Sequence, residues 1–136
     1  MTSVNDVQLQ ENYICIDGMT AELRPHVKVY PHKRDWSRTA YETDLRYIES
    51  VMWGACAMMP EHVSKMVVSV DCAKISVFLH YAPTFYERLI LNVRQKFKNR
   101  IYEIRIINAS LSTKLLFWMY QNEFPYGLHS KIKWVI

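Results

Sequence analysis

The sequence predicts an α+β fold: a single antiparallel or mixed β-sheet with about three helices packed on it, in the order β-β-α-β-β-α-β-α-β. Three observations carry this prediction. Short stretches in which apolar and polar residues alternate, the period of a half-buried strand, are interleaved with longer stretches whose apolar residues recur at helical spacing. Pro25, Pro31, Pro60 and Pro83 fall at the edges of these stretches, where a missing amide hydrogen breaks no ladder. Half of the 136 residues are hydrophobic and 13% are aromatic, with three glycines, so the chain has the apolar area to offset its ordering entropy around one core. Residues 1–136 read as one domain, with 1–11 as a flexible polar tail.

Each element has its own warrant. "NYICID" (Asn12 to Asp17) and "HVKVY" (His26 to Tyr30) alternate and are expected to pair, with Pro25 and Pro31 bracketing the second. From Trp36 to Met59 the period changes: Trp36, Ala40, Leu45, Ile48, Met52, Ala55 and Met59 line one side of a long helix. Thr39 with Glu42 makes a capping box, Asp35 or Ser37 offers an earlier start, and Pro60 ends the helix. "KMVVSVD" and "KISVFLHY" are β-branched strands that predict a hairpin near Asp71 to Lys74. Pro83, Thr84 and Glu87 signal a second helix, with Phe85, Leu89, Ile90, Val93 and Phe97 on its inner side and Arg88, Arg94 and Lys98 opposite. In "IYEIRII", alternation puts Tyr102, Ile104 and Ile106 on one strand face and Glu103 and Arg105 on the other. Ser110 or Ser112 caps a third helix running to about Gln121, and "KIKWVI" closes the chain as a strand.

The chemistry in this sequence is sparse. The three cysteines, Cys15, Cys56 and Cys72, form no CxxC pair, which suits a reducing compartment and predicts a cytoplasmic protein. No apolar stretch approaches the roughly 20 residues that cross a bilayer, and no membrane partner is expected. The five histidines lack any metal-ligand spacing and the glycines lack a phosphate-loop spacing, so no metal or cofactor is expected. Asp71, Cys72 and His80 are the best candidates for a small hydrolase or nuclease site, since a thiol nucleophile needs a nearby base. Against that stands the ordinary fate of cysteine, which is inert burial. The chain is therefore read as a non-enzyme with no catalytic residues.

Charge offers a second route to function. The net charge is +4, but residues 1–50 hold six cations and eight acids, whereas 51–136 hold eleven and five. The basic stretch 88–105, with Arg88, Arg94, Lys98 and Arg105 beside Tyr102, has the composition of a surface that neutralises phosphates and stacks bases, which makes nucleic acid an alternative partner. The same cations also suit the wet side of an amphipathic helix.

Small α+β chains with mixed charge patches, many tyrosines and no active-site motif look like the immunity proteins of bacterial toxin systems, including the contact-dependent growth inhibition type, and this chain resembles them. The resemblance implies an inhibitor that binds a cognate toxin protein, with the oligomeric state left open. It implies contacts through the acidic residues Asp35, Glu42, Asp44 and Glu49 and through Arg88, Arg94, Lys98, Tyr102 and Arg105. The positive net charge departs from the acidic surface usual for inhibitors of nuclease toxins.

Overall fold

The computed structural model describes residues 12–37, 40–75, 82–120 and 130–135. Their elements run β1 (Ile14–Met19), β2 (Pro25–Val29), a 3-10 turn (Pro31–Lys33), α1 (Glu42–Ala57), β3 (Met66–Asp71), α2 (Pro83–Lys96), β4 (Ile101–Ile107), α3 (Leu111–Tyr120) and β5 (Ile132–Trp134). The sheet is mixed and its strands lie in chain order, β1-β2-β3-β4-β5. β1 and β2 are antiparallel, and every later pair is parallel. The mixed sheet with three helices is the architecture that the periodicities predict.

Register decides what each face of the sheet carries. Two rows of partners cross all five strands, Ile14–Val29–Val70–Ile106–Trp134 and Ile16–Val27–Val68–Ile104–Ile132, and both are wholly apolar. Between them runs Cys15–Lys28–Ser69–Arg105–Lys133, on the opposite face. A parallel strand is reached by a crossover, and crossovers of one hand between sequential strands keep their helices on one side. All three helices accordingly lie over the two apolar rows. The outer face is polar: Lys28 pairs with Asp17 at 2.9 Å, Arg105 with Glu103, and the His26 ring with the Ser69 hydroxyl.

The helix α1 buries Ile48, Met52 and Ala55 against β1 and β2, each large side chain contributing about 1.5–3 kcal/mol. It starts at Glu42, later than the apolar period suggests. The reason is local: Asp35 accepts hydrogen bonds from the Ser37 amide and hydroxyl, and the Trp36 indole donates to the Pro31 carbonyl at 2.7 Å, which ties this segment to the 3-10 turn. Thr39 lies outside the described residues. α2 begins at Pro83 with Ala82 before it, so Thr84 stands inside the first turn and caps nothing, whereas Ser110 accepts from the Thr113 amide at the start of α3 as predicted. The hairpin expected after β3 is corrected, because both edges of β3 are taken by β2 and β4. The segment 76–81, most of "KISVFLHY", lies outside the described residues, as do the tail 1–11 and Gln121.

A bulge corrects the face assigned to Tyr102. Met66 faces Ile101 but Val67 faces Glu103, so Tyr102 is the extra residue on β4. The slip lets Ile101, Ile104 and Ile106 share the helix side while Tyr102 turns outward, 45% exposed, beneath the Arg24 guanidinium at 4.0 Å. No helix among the described residues is long and apolar enough to cross a membrane.

Candidate functional site

The centre of a sheet under helices should be its most buried part, yet here it is not. Val68 and Val70, on the helix side of the central strand, are only half-buried, while Val67 and Ser69 on the outer side are 1% and 2% exposed. Val29 and Ile104 on the neighbouring strands are also half-buried. The surface they show is the wall of a cavity of about 300 Å³. Its floor comes from the two apolar rows of the sheet, Ile16 and Trp134 excepted. Its roof comes from Ile48 and Met52 of α1, Leu89, Ile90 and Val93 of α2, and Leu116 and Phe117 of α3. The Phe117 ring meets Trp134 edge to face, which joins α3 to the last strand.

At one end of the cavity stands a charged group. Arg34 follows the 3-10 turn and is 4% exposed; its Nη2 donates to Asp44 Oδ2 at 2.9 Å, and Asp44 is 1% exposed. Asp44 also accepts from the Tyr13 hydroxyl at 2.7 Å. The sequence places Asp44 among outward acids for a partner protein, and the structure corrects this: it is the counter-ion of a buried arginine. The placement follows from packing, since α1 lays its first turn on β1 and Tyr13 leads into that strand.

The other predicted site residues are dispersed. Asp35 is exposed and engaged with Ser37. Glu42 pairs with Arg88 and Glu49 with Lys96, both at 2.7 Å, bridging α1 and α2. The Glu42 carboxyl is held below its usual range by its own backbone amide and then Arg88, and the Glu49 carboxyl by Lys96 first. Arg94 and Lys98 are exposed on and just after α2. Arg105 lies on the outer sheet face, across the sheet from the helical layer, so the basic residues of 88–105 do not share one surface.

Of the three residues in the hydrolase reading, Cys72 and Asp71 lie among the described residues. Cys72 is 5% exposed, and burial pushes its thiol up to about 11, which keeps it protonated and a poor nucleophile. Asp71 is occupied by the Asn108 side-chain amide at 2.9 Å and the Ala73 amide at 3.0 Å, and Asn108 holds its carboxyl low. His80 lies outside the described residues.

Together the singly faced mixed sheet and the helices over it define an α/β class of fold with an apolar chamber between its layers. The chain belongs to the CRAL/TRIO domain family, whose model matches residues 9–135. Among solved structures the chain is similar to the crystal structure of Sfh5, with a TM-score of 0.78 and 10% sequence identity, over 91% of this chain and 47% of that one. That likeness shows the fold, and the chain spans about half the length of the Sfh5 chain. No curated protein matches the sequence. The family match overturns the resemblance to toxin immunity proteins, and with it the cognate toxin as partner, the nucleic-acid alternative and the expectation of no membrane.

The cavity is open to none of the motif arguments, because its lining is mostly Val, Ile, Leu, Met and aromatic side chains. Nothing in the sequence marks Arg34 for burial: it stands between Lys33 and Asp35, both exposed, as a solvated cation does.

Proposed function

We propose that this chain binds a lipophilic small molecule between its sheet and its helices and exchanges it at a membrane surface in the cytoplasm, leaving the molecule chemically unchanged. The observation that carries the proposal is the cavity of about 300 Å³, at the lower end of the roughly 300–1,000 Å³ usual for small-molecule sites and almost wholly apolar. CRAL/TRIO domains bind lipophilic ligands, often at membranes. The α3 helix supports the membrane part: Leu111, Leu115, Trp118 and Met119 form one exposed stripe, with Leu111 at 84% and Trp118 at 64%, opposite the stripe that Thr113, Leu116 and Phe117 turn inward. A helix apolar on both sides has one side for the cavity and one for another apolar phase. Free thiols at Cys15, Cys56 and Cys72 suit a reducing compartment. The unreactive state of Cys72 supports binding without turnover.

The test is titration of the purified chain with the naphthalene dye 1-N-phenylnaphthylamine, whose fluorescence rises in apolar surroundings. Saturable enhancement is expected, and Val68→Trp, which plants a large ring on the cavity floor, should weaken it at least tenfold while the protein stays folded by circular dichroism. Enhancement that is absent, or indifferent to Val68→Trp, contradicts the proposal.

A further inference from the structure

We infer that Arg34 is a polar handle inside the cavity that takes an uncharged oxygen, a hydroxyl or carbonyl, at the head of the bound molecule; this rests on the ligand-binding reading above. The guanidinium is committed at one nitrogen only. Nη2 donates to Asp44, while Nε and Nη1 are shut off from solvent and have no hydrogen-bond partner among the described residues. Arg34 lines the cavity. The rings of Phe85, Trp36 and Tyr41 lie 4.5, 4.8 and 5.6 Å from its central carbon. These rings offset part of the cost of burying the cation, but they do not accept the in-plane N–H groups as an oxygen does. Buried donors left bare carry their full desolvation penalty, so an oxygen brought by the ligand fills a need already built into the site.

Charge selects the kind of oxygen. Asp44 already neutralises Arg34, and a ligand carboxylate would leave the enclosure with one uncompensated negative charge taken out of water. A hydroxyl or carbonyl accepts one of these N–H groups with no such imbalance. Size selects the rest: the cavity of about 300 Å³ equals about ten times the liquid volume of one water, room for a single chain of about eight carbons with its head oxygen.

The experiment compares n-octane, octan-1-ol and sodium octanoate as competitors of the bound dye, in the full chain and in Arg34→Met. Octan-1-ol should displace the dye at concentrations at least tenfold below octanoate, and its advantage over n-octane should fall about tenfold in Arg34→Met. Because that variant leaves Asp44 buried and unpaired, a measurement on the unaltered protein stands beside it: the Nε–H resonance of Arg34 in proton–nitrogen spectra should move with octan-1-ol and stay fixed with n-octane. Equal displacement by all three compounds, an advantage that survives Arg34→Met, or a resonance that octan-1-ol leaves in place overturns the inference and leaves the cavity reading standing. Failure of every compound and of the dye to bind overturns that reading and the inference together.

Discussion

Replacing Asp44 with alanine should be among the most damaging single changes available outside the apolar core. The carboxylate is 1% exposed and serves two donors, Arg34 Nη2 at 2.9 Å and the Tyr13 hydroxyl at 2.7 Å. Its removal leaves a guanidinium without its counter-ion in an apolar enclosure, a change that costs about 3–5 kcal/mol in buried pairs. The Tyr13 hydroxyl loses an acceptor as well, and the two losses overlap because both relax into the same gap. Against a total stability of roughly 5–15 kcal/mol this is a large share. With a urea dependence of about 2 kcal/mol per molar, the denaturation midpoint should fall by roughly 2 M. Glu42→Ala, which breaks the solvated pair with Arg88, should leave the midpoint almost unchanged and serves as the control. The double change Arg34→Met with Asp44→Leu, which removes both charges, should restore most of the loss. A midpoint for Asp44→Ala within about 0.5 M of the parent, corresponding to about 1 kcal/mol, would refute the claim that this pair is buried and mutually dependent.

Other outcomes follow from the same geometry. The His26 imidazole is held below its ordinary value of 6.5 by burial first and then by Lys28 and Arg105, so the unfolded chain takes up this proton more readily than the folded one. Its contribution to stability is complete above about 6.5 and is lost as pH falls below that value; denaturation midpoints from pH 7.5 to 5.5 should decline, and His26→Gln should flatten that part of the curve. Cys72, with its thiol near 11, should resist iodoacetamide at pH 8 in the native protein and react once urea exposes it, as peptide mass mapping will show; rapid native alkylation would contradict its burial. Trp118→Ser should reduce co-flotation with phosphatidylcholine and phosphatidylserine vesicles several-fold without lowering the urea midpoint, since Trp118 is 64% exposed and the proposed function gives its ring to the bilayer. Flotation equal to that of the parent would remove α3 from the membrane contact.

The strands and helices were legible because their periods differ, and the extent of that legibility shows why the site was not. Alternation in "HVKVY" and "KMVVSVD" fixes which side chains face the helices, and register then sorts the helix-side ones into wholly apolar rows. Alternation carries no information about whether what lies above an apolar row is another side chain or a chamber. Val68 and Val70 have the identities they would have in a filled core, and only their half-burial under three helices distinguishes the two cases. The bulge at Tyr102 was invisible for a related reason: one inserted residue inverts the face of everything beyond it while leaving the local composition of a strand intact. The basic run from 88 to 105 is contiguous in sequence but not contiguous on the surface, because the turn from α2 to β4 carries Arg105 across the sheet from Arg88.

The pair of Arg34 and Asp44 is where local rules and the observed structure disagree most, and that disagreement is informative. A charged residue five positions after a strand and an acid in the first turn of a helix both read as solvated, and the acid also suits the helix N-terminus electrically. Folding instead closes Tyr13, Trp36 and Phe85 over them, which costs several kcal/mol of desolvation that a pair of apolar residues would not incur. Stability alone therefore does not account for an arginine at the end of an apolar chamber. A ligand that supplies a missing acceptor gives that arrangement a use, because the penalty on Nε or Nη1 is then relieved in the bound state and becomes selectivity for a head oxygen.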